Sequence, residues 1–313
     1  MDSYNYWLSI IARELNEPNT PKSGLGMYES RYFTAVEEGA WFSNLVLNFR
    51  LIPLLALPDG IIEGHTYFSI MANTPMYLQY LLDTAKSLGV TTIRETLPIS
   101  RSLASTLRRA TEIVNEHYIR SPPHSEDGSP ELPPSQIDSW VNATGLGAKN
   151  LVPDEAMYPI RGQTVTVKGE AKGITTMSPA TPASGFGPSE PTILYILPRP
   201  HSGTSIIGGT KQADNWNLTP DPITTAQMLE NAKHFAPELL NANGEFDVLS
   251  SQVALRPGRK GGARVEVQNV EGFVVCHAYG HGGAGYQNSI GSAKKVVRLI
   301  DEHFGNGREG SKL

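Results

Sequence analysis

Five glycines fall within twelve residues near the end of the sequence, in HAYGHGGAGYQNSIGSA at 277–293. The stretch directly follows the apolar run FVVC and precedes a predicted helix. Glycine loses more backbone freedom on folding than any other residue, so five together predict that something approaches this backbone closely. Backbone N–H groups at a helix N-terminus suit an anion or an electron-rich carbonyl. A tight strand-to-helix turn is the alternative, and it explains one or two glycines but not five.

The same loop matches the spacing G-x-G-x-x-G at 280–285. The dinucleotide-binding fingerprint needs a complete βαβ unit of roughly thirty residues or more around that motif. Only 28 residues follow Gly285, and most of them have the pattern of a helix. The loop is therefore not the opening fingerprint of a Rossmann fold.

Two further stretches have residue types that suit ligand binding. VNATGLGAKN at 141–150 places Thr144 and Gly145 at the end of a predicted strand. In SQVALRPGRKGGARVE at 251–266, Arg256 follows an apolar run and precedes Pro257. A rigidly held guanidinium is the natural partner for a carboxylate bound at two points. Each motif alone is a weak signal, and a surface cation is the alternative for an isolated arginine.

Other common chemistries lack their residue patterns. The histidines outside the glycine loop have no zinc-ligand spacing, so no metal site is predicted. His277 and His281 flank the loop and are interpreted as packing and shaping residues, not bases. No G-x-S-x-G nucleophile motif occurs.

Helical and strand periodicities predict the elements that must position these residues. Helices are predicted at 5–16, 74–89, 103–118, 223–235 and 286–303. Strands are predicted at 26–36, 41–52, 64–71, 90–97, 138–143, 163–168, 192–197, 204–209, 247–255, 264–268 and 272–277. Helices and strands alternate at first and strands dominate later, which predicts an α/β domain interrupted by a more antiparallel sheet.

The composition narrows the class of protein. A net charge of −5 with no long basic block argues against a nucleic-acid partner. The single cysteine, Cys276, excludes an intramolecular disulfide and fits a reducing compartment. The longest apolar run, at 51–58, is too short to span a bilayer, and MDSYNYWLSI lacks a signal pattern, so we expect a soluble intracellular protein without a membrane partner. The sequence ends in Ser311-Lys312-Leu313, which predicts a peroxisomal import receptor as a partner and the peroxisome as the location.

These motifs together resemble the D-amino-acid oxidases, FAD-dependent peroxisomal enzymes, and particularly the fungal ones. The motifs that carry the resemblance are VCHAYGHGGAGYQNSIGSA (275–293), VNATGLGAK (141–149), PIRGQTVTVK (159–168), LYILPRP (194–200) with GGT (208–210), and LRPGRKGGARVE (255–266). The resemblance runs, with gaps, from about residue 3 to the end.

The resemblance implies roles for individual residues. Arg256, in the LRP motif, and Tyr195, in YI-x-PRP, would bind the substrate carboxylate, and the carbonyl of Gly283 would face the substrate amine. The implied FAD contacts are Leu97, Thr144, Gly282, Gly283, Ala284, Gly285, Tyr286 and Gln287. The substrate would transfer a hydride to the flavin without an acid or base side chain, and molecular oxygen would reoxidise the flavin. The resemblance also allows a homodimer.

The resemblance further implies α/β (α+β) architecture, with an incomplete Rossmann-like FAD-binding domain interleaved with a substrate-binding domain of mixed or antiparallel sheet. We assign 1–25, 73–170 and 256–313 to the first domain, and 26–72 and 171–255 to the second. The incompleteness is an expectation from the sequence, because the opening strand, G-x-G-x-x-G turn and helix of the family have no counterpart here. A second substrate-side tyrosine of the family also has no clear counterpart, though Phe186 could fill part of that pocket.

Two functional hypotheses remain open at this level. The first is the FAD-dependent oxidation of D-amino acids to 2-oxo acids, ammonia and hydrogen peroxide. The second is a non-catalytic truncated relative that binds a carboxylated ligand or a full-length partner without flavin.

Overall fold

The computed structural model describes residues 1–36, 39–98, 102–120, 137–180 and 192–309. Its helices are α1 (Asp2–Asn16), α2 (Thr74–Ser87), α3 (Leu103–Arg120), α4 (Ala148–Leu151), α5 (Pro222–Lys233) and α6 (Ser289–Glu309). Its strands are β1 (Leu25–Thr34), β2 (Leu47–Leu51), β3 (Glu63–Ala72), β4 (Trp140–Asn142), β5 (Met157–Lys168), β6 (Ile174–Ala180), β7 (Thr192–Arg199), β8 (Thr204–Gly208), β9 (Gln212–Ala213), β10 (Val248–Arg259), β11 (Arg264–Val270) and β12 (Phe273–Tyr279). Phe186, which could fill part of the substrate pocket, and the terminal Ser311-Lys312-Leu313 lie outside the described residues.

The strands form two sheets. The larger follows the order β10-β5-β8-β7-β6-β1-β3-β2, with β9 paired to β5. Strand β1 is parallel to β6 and antiparallel to β3, while β7 is antiparallel to both β6 and β8. The smaller sheet follows β11-β12-β4, with β11 antiparallel and β4 parallel to β12. Helices combined with mixed sheets confirm the predicted α/β (α+β) class.

The chain divides into two compact units, each built from separate segments. The large-sheet unit comprises Tyr4–Leu82 and Ile160–Leu255, and the small-sheet unit comprises Met1–Ser3, Asp83–Pro159 and Arg256–Leu313. The two units also divide between 255 and 256, as the predicted domains do, and the assignment of these domains to FAD and substrate binding stays a prediction. The compact units differ from the predicted domains in two places: they divide at 159 where the prediction divides at 170, and residues 4–25 and 73–82 lie in the large-sheet unit.

Packing of α1 and α2 explains this difference. Trp7 and Ile10 of α1 form one buried cluster with Leu25 of β1 and Tyr77 of α2. The Trp7 indole N–H donates a hydrogen bond of 2.8 Å to the Tyr77 hydroxyl, and their rings meet edge to face. Burial of these large side chains on the neighbouring strands holds both helices against the large sheet.

The core of the large-sheet unit lies on one face of the sheet. Val165 of β5 and Ile196 of β7 are almost fully buried, and they share a cluster with Met228 and Ala232 of α5. Because side chains alternate along a strand, residues one position away, such as Thr166 and Tyr195, belong to the opposite face. The strand periodicity thus separates a packing face from a face that carries polar groups.

The predicted strand at 90–97 does not form. Residues 91–98 have no regular secondary structure, and most of them are exposed. A strand is stable only where a neighbour satisfies its backbone hydrogen bonds, and in the described part of the chain β4 ends the small sheet without a further neighbour. The apolar and β-branched residues of this stretch are therefore not sufficient to make it a strand.

Candidate functional site

The glycine loop lies between β12 and α6 in the small-sheet unit. The chain turns at Gly280, forms a short 3-10 turn over Gly282–Ala284, and enters α6 at Ser289. Gly283 and Gly285 are exposed, and so are Tyr286 and Gln287 of the predicted cofactor contacts. The structure therefore presents most of this loop on the surface of the described unit.

The glycines of the loop differ in what their own fold requires of them. Gly280 has φ +84°, and a Cβ there would stand 2.7 Å from the Cβ of Arg259. Gly282 also has a left-handed φ of +57°. By contrast, a Cβ would stand 3.8 Å from the Arg256 Cδ if placed at Gly283, and 4.0 Å from the nearest atom if placed at Gly285. Both distances are ordinary contacts, so two glycines make the turn and two keep space open outside it.

The second glycine stretch lies beside the first because β4 runs parallel to β12. His277 of β12 is opposite Asn142 of β4, and the loop beginning at Thr144 follows directly. The Asn142 Oδ1 atom accepts hydrogen bonds from the Thr144 backbone N–H, at 3.2 Å, and from its hydroxyl, at 2.8 Å. Gly145 has φ +57°, and its Cβ would stand 3.8 Å from Pro257. Loops at the carboxyl ends of adjacent parallel strands form the usual place for a ligand in α/β sheets.

His277 is a structural part of this arrangement. Its Nδ1 atom is 3.2 Å from the Asn142 side-chain nitrogen, and its Nε2 atom is 3.0 Å from the Gln268 Oε1 atom. Because an amide nitrogen only donates, Nδ1 is the acceptor and Nε2 carries the proton. Burial lowers the pKa of His277 to about 4, with a further contribution from Arg264. The neutral ring therefore fixes Asn142 and, through it, Thr144, as the interpretation of His277 as a shaping residue expects.

Arg256 lies beside the glycine loop. It occupies the part of β10 that belongs to the small-sheet unit, and its side chain is half-buried. The Arg256 Cδ is the nearest neighbouring atom to a Cβ placed on Gly283, at 3.8 Å. The structure thus brings together two of the predicted substrate-binding residues, which are 27 positions apart in the sequence.

An ion pair that the sequence analysis did not identify anchors the start of this loop. The Asp154 Oδ2 atom accepts hydrogen bonds from the Arg259 Nε, at 2.9 Å, and from the Tyr279 hydroxyl, at 2.8 Å. Burial alone would raise the pKa of Asp154, but these hydrogen bonds outweigh burial and lower it. The paired Arg259 is the side chain against which Gly280 turns. Nothing local in the sequence indicates a partner 105 residues away.

The remaining predicted site residues have individual surroundings. Tyr195 belongs to the large-sheet unit, where β7 places it opposite Thr176 of β6 and Gly208 of β8. Leu97 is half-buried in the irregular stretch that replaces the predicted strand. Their proposed contacts with substrate and cofactor stay predictions.

The part of the chain that the structure describes contains neither a candidate metal cluster nor a candidate membrane span. Within the described ranges, no cluster of three or more histidine, cysteine, aspartate or glutamate side chains is arranged to hold a metal ion. In the same part of the chain, no helix has the length and hydrophobicity needed to cross a membrane.

Comparisons with known proteins agree on one family. Residues 47–299 match the family model described as FAD dependent oxidoreductase. The chain is 31% identical over 267 residues to a D-amino-acid oxidase of Fusarium vanettenii, an alignment that covers 84% of this chain and 66% of the relative. It is 32% identical over 253 residues to a D-aspartate oxidase of Talaromyces thermophilus, covering 80% of this chain and 58% of the relative. The chain thus spans less than two thirds of the length of either protein.

Solved structures show the same fold at lower sequence identity. A glycine oxidase from Bacillus cereus ATCC 14579 superposes with a TM-score of 0.61 at 17% identity, covering 96% of this chain and 79% of the other. An L-proline dehydrogenase from P. horikoshii superposes with a TM-score of 0.58 at 14% identity, covering 96% of this chain and 79% of the other. At these identities the likeness concerns the fold alone.

Proposed function

The chain belongs to the FAD dependent oxidoreductase family, and from this premise we propose that it catalyses the FAD-dependent oxidative deamination of D-amino acids. The overall reaction converts a D-amino acid, molecular oxygen and water into a 2-oxo acid, ammonia and hydrogen peroxide. The names of the two relatives, a D-amino-acid oxidase and a D-aspartate oxidase, support D-amino acids as the substrate class. One observation in the structure carries the proposal, namely that Arg256 lies beside Gly283 in the glycine loop.

The glycine loop fits a flat ligand such as the flavin ring. Neither the backbone conformation nor the packing of the protein requires glycine at 283 or 285, so the space beside these residues suits a group from outside the chain. In this proposal Gly282, Ala284, Tyr286 and Gln287 also contact FAD, as does Thr144, which Asn142 fixes at the neighbouring strand end. When bound, the flavin supplies an acceptor for the hydride that leaves the α-carbon of the substrate.

Substrate positioning falls to side chains of this chain. The Arg256 guanidinium can donate two parallel hydrogen bonds to a carboxylate, and this fixes the orientation of a planar group as well as its position. We assign the Gly283 carbonyl to accept a hydrogen bond from the substrate amine, and the Tyr195 hydroxyl to donate a further one to the carboxylate. His277 is not suited to act as a base, because both of its ring nitrogens are occupied and its pKa lies at about 4.

The first experiment is the visible absorption spectrum of the purified 313-residue chain after incubation with FAD. We expect a bound-flavin spectrum that D-alanine or D-aspartate bleaches in the absence of oxygen and that air restores. A chain that retains no flavin absorbance after incubation with saturating FAD and removal of the unbound cofactor would overturn the proposal for this polypeptide.

A matched pair of variants tests the role of Arg256. Hydrogen bonds to a charged group each contribute about 1.5–3 kcal/mol, so Arg256→Ala is expected to lower kcat/KM by about a hundredfold or more. Arg256→Lys should remain well below the parent because an ammonium group lacks the two-pronged geometry. Arg298→Ala, which removes an arginine on α6 with a side chain 64% exposed, is the control and should keep the parent rate. Equal activities of the Arg256 and Arg298 variants would refute the assignment.

We also propose that the protein is imported into the peroxisome. The terminal Ser311-Lys312-Leu313 supports this location, and hydrogen peroxide as a product would suit it. A fluorescent protein that carries the last ten residues should move to peroxisomes, and the same fusion without the final three residues should stay diffuse. Diffuse fluorescence of both would contradict the proposal.

A further inference from the structure

Gly208 and Tyr195 face each other across adjacent strands in the large-sheet unit. Tyr195 of β7 is directly opposite Gly208 of β8. A Cβ at residue 208 would overlap the Cε2 and Cζ atoms of the Tyr195 ring and would lie 2.5 Å from its hydroxyl oxygen. The phenol ring therefore lies flat across the backbone of residue 208, in the volume that any other side chain would occupy.

The backbone itself does not demand glycine at this position. Gly208 does not have a positive φ angle, so other amino acids can adopt its backbone conformation. Glycine inside a strand also weakens the strand, because it adds flexibility and packs no side chain. The requirement for glycine at 208 thus comes from the ring of Tyr195. Covering a strand glycine with an aromatic ring can be purely structural, so the experiment must distinguish the two roles.

We propose that Gly208 is a positioning residue for substrate binding, an inference that rests on the proposed function and on Tyr195 as a ligand of the substrate carboxylate. By leaving its side of β8 bare, Gly208 fixes the plane of the Tyr195 ring and hence the place of the hydroxyl group. Next along the strands, Leu197 and Ile206 line a cavity of about 460 Å³. A ring displaced from Gly208 has room to move in that direction, so an alanine at 208 moves the hydroxyl without unfolding the sheet.

The kinetic test compares Gly208→Ala, Tyr195→Phe and the double variant in the full chain supplied with FAD, with D-alanine and D-aspartate as substrates. We expect each single variant to raise KM about tenfold or more, with a much smaller change in kcat. The double variant should be no worse than Tyr195→Phe, because the hydroxyl is already absent. If Gly208→Ala leaves KM unchanged while Tyr195→Phe raises it, or if the two effects multiply, the inference is wrong.

Gly26→Ala is the matched control for general damage to the sheet. A Cβ at Gly26 of β1 would stand 2.8 Å from the ring of Tyr28. Tyr195 pairs with Thr176, and Thr176 pairs with Tyr32 of β1. Gly26 precedes Tyr32 by six residues, so it lies about 20 Å from the level of Tyr195 along the strand direction. This variant should lose stability and keep the parent KM. A matching rise in KM would mean that Gly208→Ala also acts through the sheet as a whole, against the proposal.

Unfolding in urea tests the same geometry without any activity. Gly208→Ala should lower the urea midpoint of the parent, and it should lower the midpoint of Tyr195→Ala much less, because the obstructing ring is gone. Equal losses in both backgrounds would overturn the positional coupling. If the parent chain oxidises neither amino acid, the proposed function fails, whereas this double-mutant cycle still decides whether Gly208 holds the ring.

Discussion

Replacing single glycines in the 280–285 loop by alanine separates turn glycines from ligand-facing glycines. At Gly280 an alanine would have to adopt φ +84° and would bring its Cβ to 2.7 Å from the Cβ of Arg259. The left-handed conformation costs roughly 1–2 kcal/mol, and overpacking costs typically another 1–3 kcal/mol. We therefore expect Gly280→Ala to lower the free energy of unfolding by about 2–5 kcal/mol.

The same replacement at Gly283 should have the opposite effect on stability. Its backbone conformation is compatible with alanine, and the new Cβ would meet its nearest neighbour, the Arg256 Cδ, at 3.8 Å. Alanine at a compatible glycine site stabilises by about 0.4–1 kcal/mol, because it restricts the unfolded chain. If a flavin occupies the open space, the added methyl group should weaken FAD binding by about fivefold to 150-fold, which corresponds to a steric cost of roughly 1–3 kcal/mol.

Two measurements on each variant test this reasoning. Urea unfolding followed by tryptophan fluorescence gives the stability, and titration with FAD followed by visible absorption gives the dissociation constant. Gly280→Ala should be the less stable protein, and Gly283→Ala should be the more stable one with the weaker FAD affinity. A loss of stability in Gly283→Ala equal to that in Gly280→Ala would refute the inference that the fold leaves this space open.

Three further predictions concern stability. Asp154→Ala should lower the free energy of unfolding by about 3–5 kcal/mol, because it leaves Arg259 without its buried partner. Urea unfolding should show a much smaller loss for Asp154→Asn, which retains a hydrogen-bond acceptor. The pKa of His277 falls from 6.5 to about 4 on folding, so below pH 6.5 the unfolded chain binds a proton that the folded chain does not. The free energy of unfolding should therefore fall by about 2 kcal/mol between pH 7 and pH 5. Urea unfolding curves of His277→Gln should lack this loss, and an unchanged pH dependence in that variant would contradict the argument. Tyr77→Phe should lower the free energy of unfolding by about 1–3 kcal/mol, because the buried Trp7 N–H loses its acceptor. A thermal unfolding midpoint equal to that of the parent would exclude this hydrogen bond as a stabilising contact.

The sequence was sufficient to predict features that depend on local pattern. Short apolar, β-branched runs predicted β7 and β12, and helical periodicity predicted α3 within two residues of its observed end. The glycine loop was recognised as unusual because five glycines cannot be explained by a turn alone. The motifs shared with the oxidases identified the family because several of them occur together along one chain, although each motif alone is a weak signal.

Features that depend on distant partners appeared only in the tertiary structure. The stretch 90–97 has the composition of a strand, yet it remains irregular because no described neighbour supplies backbone hydrogen bonds. The buried Trp7–Tyr77 contact joins residues 70 positions apart, and it holds α1 and α2 together in the large-sheet unit.

The site itself shows the same division. The sequence alone identified Arg256 and Gly283 as members of one site through family motifs, and the structure brought them side by side. The sequence alone did not show that the Arg259 side chain leaves room only for glycine at 280, or that Asp154 holds Arg259 in place. Nor did it show that Gly208 makes room for the Tyr195 ring. A residue's type and spacing report what its own backbone can do. Only the packed chain decides which side chain occupies the space beside it, because that space is bounded by atoms from remote parts of the sequence.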